Sequence, residues 1–150
     1  MENEKFYEII DFAIGREEIA VFFYLDLQKK AKFAALSEIL GEFAEMERGH
    51  MMILMKIREN GLSKVKPKEV EDLHISDYIV SAEPSDDMSY QDILTIAIKR
   101  EEAAAILYSN MAEMINDAEL KNLFKKLAAE EAGHKLKFEK IYDDEILKEN

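Results

Sequence analysis

The chain repeats itself. Residues 13–24 and 97–108 align at an offset of 84, with seven of the twelve positions identical: Ala13, Ile14, Arg16, Glu17, Glu18, Ala20 and Tyr24 match Ala97, Ile98, Arg100, Glu101, Glu102, Ala104 and Tyr108. The same offset sets Ala44, Glu47, Gly49 and His50 on Ala128, Glu131, Gly133 and His134. Two copies of one unit therefore make up the chain, and the copies share mostly polar residues. A repeat kept only for packing shares apolar residues first, so the shared polar set points to chemistry.

Each copy reads as a pair of helices. Apolar residues recur at helical spacing over about Glu4–Lys30, Ser37–Asn60, Tyr90–Ile115 and Ala118–Leu147. Gly61 suits the C-terminal cap of the second helix. Ser89 with Asp92 suits the start of the third, and Asp117 suits the N-cap of the fourth. The first and third joins are short and make antiparallel neighbours. The second is a crossover over 61–88 that holds both prolines, Pro67 and Pro84, and a short helix is expected within it at Ile75–Ala82. At ~1.5 Å rise per residue, a helix of this length spans roughly 36–40 Å, which such a crossover can travel. The expected fold is all-α, a ferritin-like antiparallel four-helix bundle with one long crossover between helices 2 and 3. It forms a single domain over 1–150, with hairpins at about 4–60 and 89–147.

Composition agrees and excludes much. The chain has 150 residues, 48% hydrophobic and 35% charged, with 5 Gly and 2 Pro, as expected of one well-packed helical domain. Its net charge of −12 leaves no basic footprint for nucleic acid or a membrane surface. There is no Cys, so disulfides, thiol catalysis and Cys-ligated metal centres are excluded in this chain. The opening MENEKFYEII lacks the pattern of a signal peptide and no apolar run spans a bilayer, so the expected location is cytoplasmic.

Residues three apart on a helix point the same way. Glu47 with His50, and Glu131 with His134, are thus paired on one face of their helices. With 22 Glu in the chain, one such pair arises easily by chance; two at the repeat offset do not. The residues three, four and seven positions from Glu101 include Leu94, Ala97, Ile98, Ala104, Ala105 and Tyr108, an apolar stripe. Glu17, Glu47 and Glu131 lie on similar stripes. Four carboxylates are therefore expected in the core, where an uncompensated charge costs several kcal/mol against a total stability of ~5–15 kcal/mol. Two divalent cations carry +4 and balance them, with the imidazoles neutral. Carboxylate-rich donors with one imidazole per metal suit iron or manganese, and zinc also accepts them. The expected ligands are Glu17, Glu47, His50, Glu101, Glu131 and His134. Glu from two helices with Glu-x-x-His from two others is the dinuclear carboxylate pattern of helical bundles.

On these residues the chain resembles the rubrerythrin and ferritin-like di-iron carboxylate group over nearly its whole length. The resemblance implies two metal ions, most often iron, and a Tyr two turns after the first-helix Glu. That Tyr matches Tyr24, with Tyr108 as its repeat partner, and both would donate hydrogen bonds to ligand carboxylates. It implies reduction of hydrogen peroxide or dioxygen in a response to oxidative stress. The six ligands would act through the metals. Rubrerythrins usually carry a C-terminal rubredoxin domain, which this sequence lacks, so an external electron carrier such as a rubredoxin is expected. They also carry an extra Glu one turn after the third-helix ligand, where this chain has Ala104. That departure supports an alternative reading as a ferroxidase or iron-binding protein. A non-catalytic, metal-stabilised bundle is a third reading. A homodimer is expected, because two hairpins permit exchange between protomers.

Plainer readings stand beside these. The six residues alone could be a polar network, Tyr24 and Tyr108 core aromatics, and Arg16 and Arg100 surface ion-pair formers. The Met residues, including Met51, Met52 and Met55, are expected as core fillers. Gly49 and Gly133 fit close helix packing as well as a role at the metal. His74 is expected at the surface or as a cap, and Glu18, Glu102 and Glu130 in solvent or hydrogen-bonded near the ligands.

Overall fold

The computed structural model describes residues 2–30, 34–60, 78–80, 89–115 and 117–145. Four helices carry the described chain: α1 (Glu2–Lys30), α2 (Ala34–Asn60), α3 (Tyr90–Glu113) and α4 (Ala118–Glu145). The chain divides into two compact units, Met1–Glu71 and Asp72–Asn150. Each unit contains one helical hairpin.

In the first unit α1 packs on α2. Phe6, Ile9, Ile10, Ala13, Val21, Tyr24 and Leu27 of α1 are buried, as are Leu36, Leu40, Phe43, Ala44, Leu54 and Ile57 of α2. Their spacing of three and four residues is one helical stripe on each element. Polar contacts at both ends fix the antiparallel register. Near the hairpin turn, the Gln28 Nε2 donates to the Ser37 carbonyl oxygen at 2.9 Å. Gly41 makes room for that amide: a Cβ there would lie 2.8 Å from Gln28 Nε2. At the far end, Arg58 Nε donates to Asp11 Oδ1 at 2.6 Å, and its guanidinium sits 4.9 Å from the Tyr7 ring centroid. The hydrogen bond to Asp11 and its negative charge raise the Arg58 pKa above the ordinary value.

The second unit is built alike. Leu94, Ala97, Ala104, Leu107, Tyr108, Met111 and Ala112 of α3 pack with Leu120, Phe124, Leu127, Ala128 and Phe138 of α4. Gln91, at the start of α3, donates to the Tyr142 hydroxyl near the end of α4 at 2.6 Å. Mid-hairpin, Lys135 Nζ lies 3.6 Å from Glu102 Oε2. Tyr78, from the crossover, belongs to this unit: its buried ring accepts a hydrogen bond from Asn110 Nδ2 at 2.9 Å through the hydroxyl.

The caps form where expected. Asp92 N donates to Ser89 Oγ at 3.1 Å, and Leu120 N donates to Asp117 Oδ2 at 2.9 Å. Helix α2 begins three residues before the expected Ser37, because Ala34 and Ala35 are strong helix formers. Helix α3 stops at Glu113, short of Ile115, with Met114 as its cap and tightened bonds from Met114 N to Met111 O and Ile115 N to Ala112 O. Within the short helix expected at Ile75–Ala82, Tyr78 is in a tight helical turn, whereas Ile79 and Val80 are not helical. Their β-branched side chains favour extended backbone, and Tyr78 supplies the anchor instead. The rest of that segment, with Gly61, Pro67, His74 and Pro84, lies outside the described residues, as does the end of the fourth helix beyond 145. Among the described residues no helix is long and apolar enough to cross a membrane.

The methionines differ from expectation. Met52, Met55 and Met46 are exposed at 64%, 48% and 41%, Met51 is half-buried, and among the described Met residues only Met111 is in the core. Met51 and Met52 flank the inward stripe of α2 without lying on it, so helical phase overrides hydrophobicity.

The core and the surface ties should differ in worth. Phe124→Ala empties a fully buried site and is expected to cost about 3–5 kcal/mol in urea unfolding. Arg58→Ala removes an exposed ion pair and is expected to leave the urea midpoint nearly unchanged.

Candidate metal centre

Each stripe is interrupted at its middle by ionisable residues. Glu17, Glu47, His50, Glu101, Glu131 and His134 are the buried charged or polar side chains of the described chain, none more than 3% exposed. They lie on the core faces because they keep the helical phase of the apolar residues around them. Glu17 follows Ala13 by four and precedes Val21 by four. Glu47 and His50 continue the series Leu40, Phe43 and Ala44 toward Leu54. Glu101 lies between Ala97 and Ala104, and Glu131 and His134 between Ala128 and Phe138.

In the first unit the three donors converge. His50 Nδ1 lies 3.5 Å from Glu47 Oε2 and 3.8 Å from Glu17 Oε2. In the second unit His134 Nδ1 lies 3.6 Å from Glu101 Oε2. One donor atom each from Glu17, Glu47 and His50 lies within 4.8 Å of the other two, and the same holds for Glu101, Glu131 and His134. These separations exceed the ~2.7–3.2 Å of ordinary nitrogen–oxygen hydrogen bonds. They approach the spacing of ligands on one cation: two donors about 2.1 Å from an ion, separated by about 90–109°, are about 3.0–3.4 Å apart. The sets contain only carboxylate and imidazole donors, which suit iron, manganese or zinc. The residues thus fit a metal site by burial, by convergence and by donor chemistry. No residue outside these six joins either set among the described residues.

The neighbours sort as follows. Tyr24 and Tyr108 are each 1% exposed. The Tyr24 ring meets Phe43 edge-on, with centroids 6.0 Å apart, and the Tyr108 ring meets Phe124 at 6.1 Å. Phe43 and Phe124 are not repeat partners. Phe43 corresponds to Leu127, and Phe124 to Leu40, so each hairpin keeps one Phe and one Leu a turn apart in opposite order. Both arrangements pack an aromatic against the tyrosine. The repeat therefore preserves the tyrosine itself more strictly than its packing. Glu18 and Glu102 are exposed, Glu130 is half-buried, and Arg16 and Arg100 are half-buried, with Arg16 lying 5.9 Å from the Phe12 ring centroid. Gly49 and Gly133 are not explained by close packing, because a Cβ on either would meet nothing within 4 Å.

Comparison with known proteins agrees with this geometry. A solved chain from Thermotoga maritima, named for the ferritin-like diiron-carboxylate class, is similar in structure with a TM-score of 0.73 and 22% sequence identity. The likeness covers 91% of this chain and 93% of that one. The fold is therefore that of the ferritin-like four-helix proteins. No curated protein matches the sequence. The rubrerythrin family model matches residues 8–142, a span that takes in both hairpins and all six buried donors, and the chain belongs to that family.

Two expectations follow from the site. Glu17→Leu or Glu101→Leu should stabilise the metal-free protein by about 1–4 kcal/mol in urea unfolding, since apolar packing replaces a buried charge. With saturating Mn²⁺ or Zn²⁺ the same variants should be less stable than the unaltered chain, because ligand-linked stabilisation of about 2.7 kcal/mol at 100-fold excess over Kd is diminished. Gly49→Ala and Gly133→Ala should each stabilise by up to about 1 kcal/mol through helix propensity, read from the same urea curves.

Proposed function

We propose that the six buried donors hold two metal ions, most simply iron, and that the protein is an oxidoreductase reducing hydrogen peroxide, or dioxygen, with electrons from an external carrier. The observation that supports this most is the burial of four carboxylates and two imidazoles at the middle of the helical stripes. A structural role offers no return for that cost, whereas two divalent ions neutralise it.

Held by Glu17, Glu47, His50, Glu101, Glu131 and His134, ferrous ions would supply the two electrons that cleavage of an O–O bond consumes. The chain's own part is to hold the donors and exclude water. The helical backbone fixes Glu47 against His50 and Glu131 against His134 through three-residue spacing. Tyr24 and Tyr108 are buried two turns after Glu17 and Glu101 on the same helices, and their hydroxyls are suited to orient ligand carboxylates. The chain has no Cys to hold an electron-transfer centre of its own, which is why the carrier is assigned to a separate protein such as a rubredoxin.

A second reading, ferrous-ion oxidation and binding without peroxide specificity, draws on Ala104. This buried position carries no carboxylate where rubrerythrins have their additional Glu. The two readings separate in one assay. Iron-loaded protein given a chemical reductant should consume hydrogen peroxide over many turnovers, and Glu101→Ala or His134→Ala should lower the rate at least about 100-fold, as expected when a metal ligand or its orientation is lost. Peroxide consumption that stops after the bound ferrous ions are oxidised, even with reductant present, would favour ferroxidation.

A further inference from the structure

Helix α2 carries a second stripe on the face turned away from its donors. Glu42, Met46, Gly49, Met52, Ile53 and Lys56 recur at the three- and four-residue spacing of one helix face. None of them belongs to the core: Met46 and Met52 are 41% and 64% exposed, and Ile53 is half-buried. Gly49 is exposed at the middle of the stripe, where a Cβ would meet nothing within 4 Å. A glycine inside a helix costs about 1 kcal/mol relative to Ala. Where two helices cross, the same residue lets their backbones approach closely. The ends of the stripe carry opposite charges, Glu42 toward the N-terminus and Lys56 toward the C-terminus, and both are exposed.

We propose that this stripe is the contact surface of a symmetric dimer, in which α2 of one copy of the chain crosses α2 of a second copy, antiparallel, at Gly49. The stripe is its own complement. A two-fold axis through Gly49 sets each residue against the one equally far beyond 49. Met46 of each copy then meets Met52 of the other, and Glu42 of each meets Lys56 of the other. Glu45 falls against Ile53 and keeps its ion pair with Arg48 at the rim. Apolar side chains thus meet at the centre and opposite charges at both ends, as one patch facing itself requires. The repeat supplies a contrast. The matching positions on α4 are Lys126, Glu130, Gly133, Leu136, Lys137 and Lys140. A two-fold axis through Gly133 would set Lys126 against Lys140 and Glu130 against Leu136, so that face rejects its own copy. The net charge of −12 opposes association of two chains at long range. Salt near 0.15 M screens that repulsion beyond about 8 Å and leaves contact pairs in place. The stripe is about 21 Å long at ~1.5 Å per residue, which puts the dimer among small, weak interfaces.

The test is sedimentation equilibrium of the full chain in about 0.15 M salt, at concentrations up to about 0.1 mM, which captures micromolar dissociation constants. The unaltered chain should reach twice the chain mass at the upper end. Glu42→Lys and Lys56→Glu should each weaken the dimer about tenfold, because symmetry makes each set like charges together twice. The double variant Glu42→Lys/Lys56→Glu should restore it, since the pairs are rebuilt with their signs exchanged. Met52→Glu should leave monomer, and Lys140→Glu on α4 should leave the dimer unchanged. All these positions are exposed, and circular dichroism checks that each variant keeps its helicity. A chain that stays monomeric over the whole range overturns the proposal. So does a dimer indifferent to both Lys56→Glu and Met52→Glu, whose copies must be joined elsewhere, as by exchange of a hairpin. Weakening by both single reversals with no recovery in the double variant overturns the antiparallel crossing at Gly49.

Discussion

Four carboxylates inside helical cores set the terms for the rest of this protein. Glu17, Glu47, Glu101 and Glu131 are each 1–2% exposed. At such positions a lone charge costs several kcal/mol, a large part of the ~5–15 kcal/mol by which a domain of this kind is stable. The surrounding packing is arranged to bear that cost. Tyr24, Leu40, Leu54, Leu94, Tyr108, Phe124 and Phe138 are all fully buried, and they stand within one or two turns of the donors along their own helices. Long helices matter here for a physical reason. A 24- to 29-residue helix can devote a turn or two at its middle to polar donors and still bury apolar residues on both sides. A short helix interrupted in that way would have too little apolar stripe left to hold its partner.

The repeat explains how the donors are brought to the right height. His50 approaches Glu17 at 3.8 Å and His134 approaches Glu101 at 3.6 Å, and the second pair is the first shifted by the repeat offset. Antiparallel register therefore agrees between the hairpins at the donors. The residues that hold it differ, although Tyr7 and Arg58 meet at the repeat positions of Gln91 and Tyr142. Gln28–Ser37 and Asp11–Arg58 serve the first hairpin, and Gln91–Tyr142 serves the second. The Phe/Leu order beneath Tyr24 and Tyr108 is reversed as well. The geometry at the donors is kept while the means of keeping it have diverged, which is what selection on a site rather than on a fold produces.

Most of the fold and all six candidate donors were legible in the sequence, because helical phase and burial are both periodic signals. A Glu four residues from Ala13 and four from Val21 has only one face to occupy. The Ser89 and Asp117 caps were legible for a similar reason, since a side-chain oxygen three residues ahead of a free backbone N–H has a defined job. What was not legible depends on phase at the margin or on neighbours distant in sequence. Met52 and Met55 look like core residues by type, but at 64% and 48% exposure they lie outside the stripe that passes through His50 and Leu54. Gly49 and Gly133 suggest a close approach of another element, and only coordinates reveal the open space beside them. The partnership of Tyr78 with Asn110 spans a crossover whose composition does not encode it.

A metal site is specified by charge, donor type and convergence, all of which six residues on rigid helices supply. A reaction is specified by what else can reach the metals and move. Ala104 is a case in point. It is 6% exposed and lies one turn from Glu101, so the position faces the core, yet its methyl group cannot bind or release a cation. A carboxylate there would give a second oxygen donor able to change partners with the charge of the centre. Its absence leaves four buried carboxylates and two imidazoles, a set whose charge two divalent cations would balance. The same balance that makes the donors a good metal site therefore leaves less room for redox-linked ligand exchange.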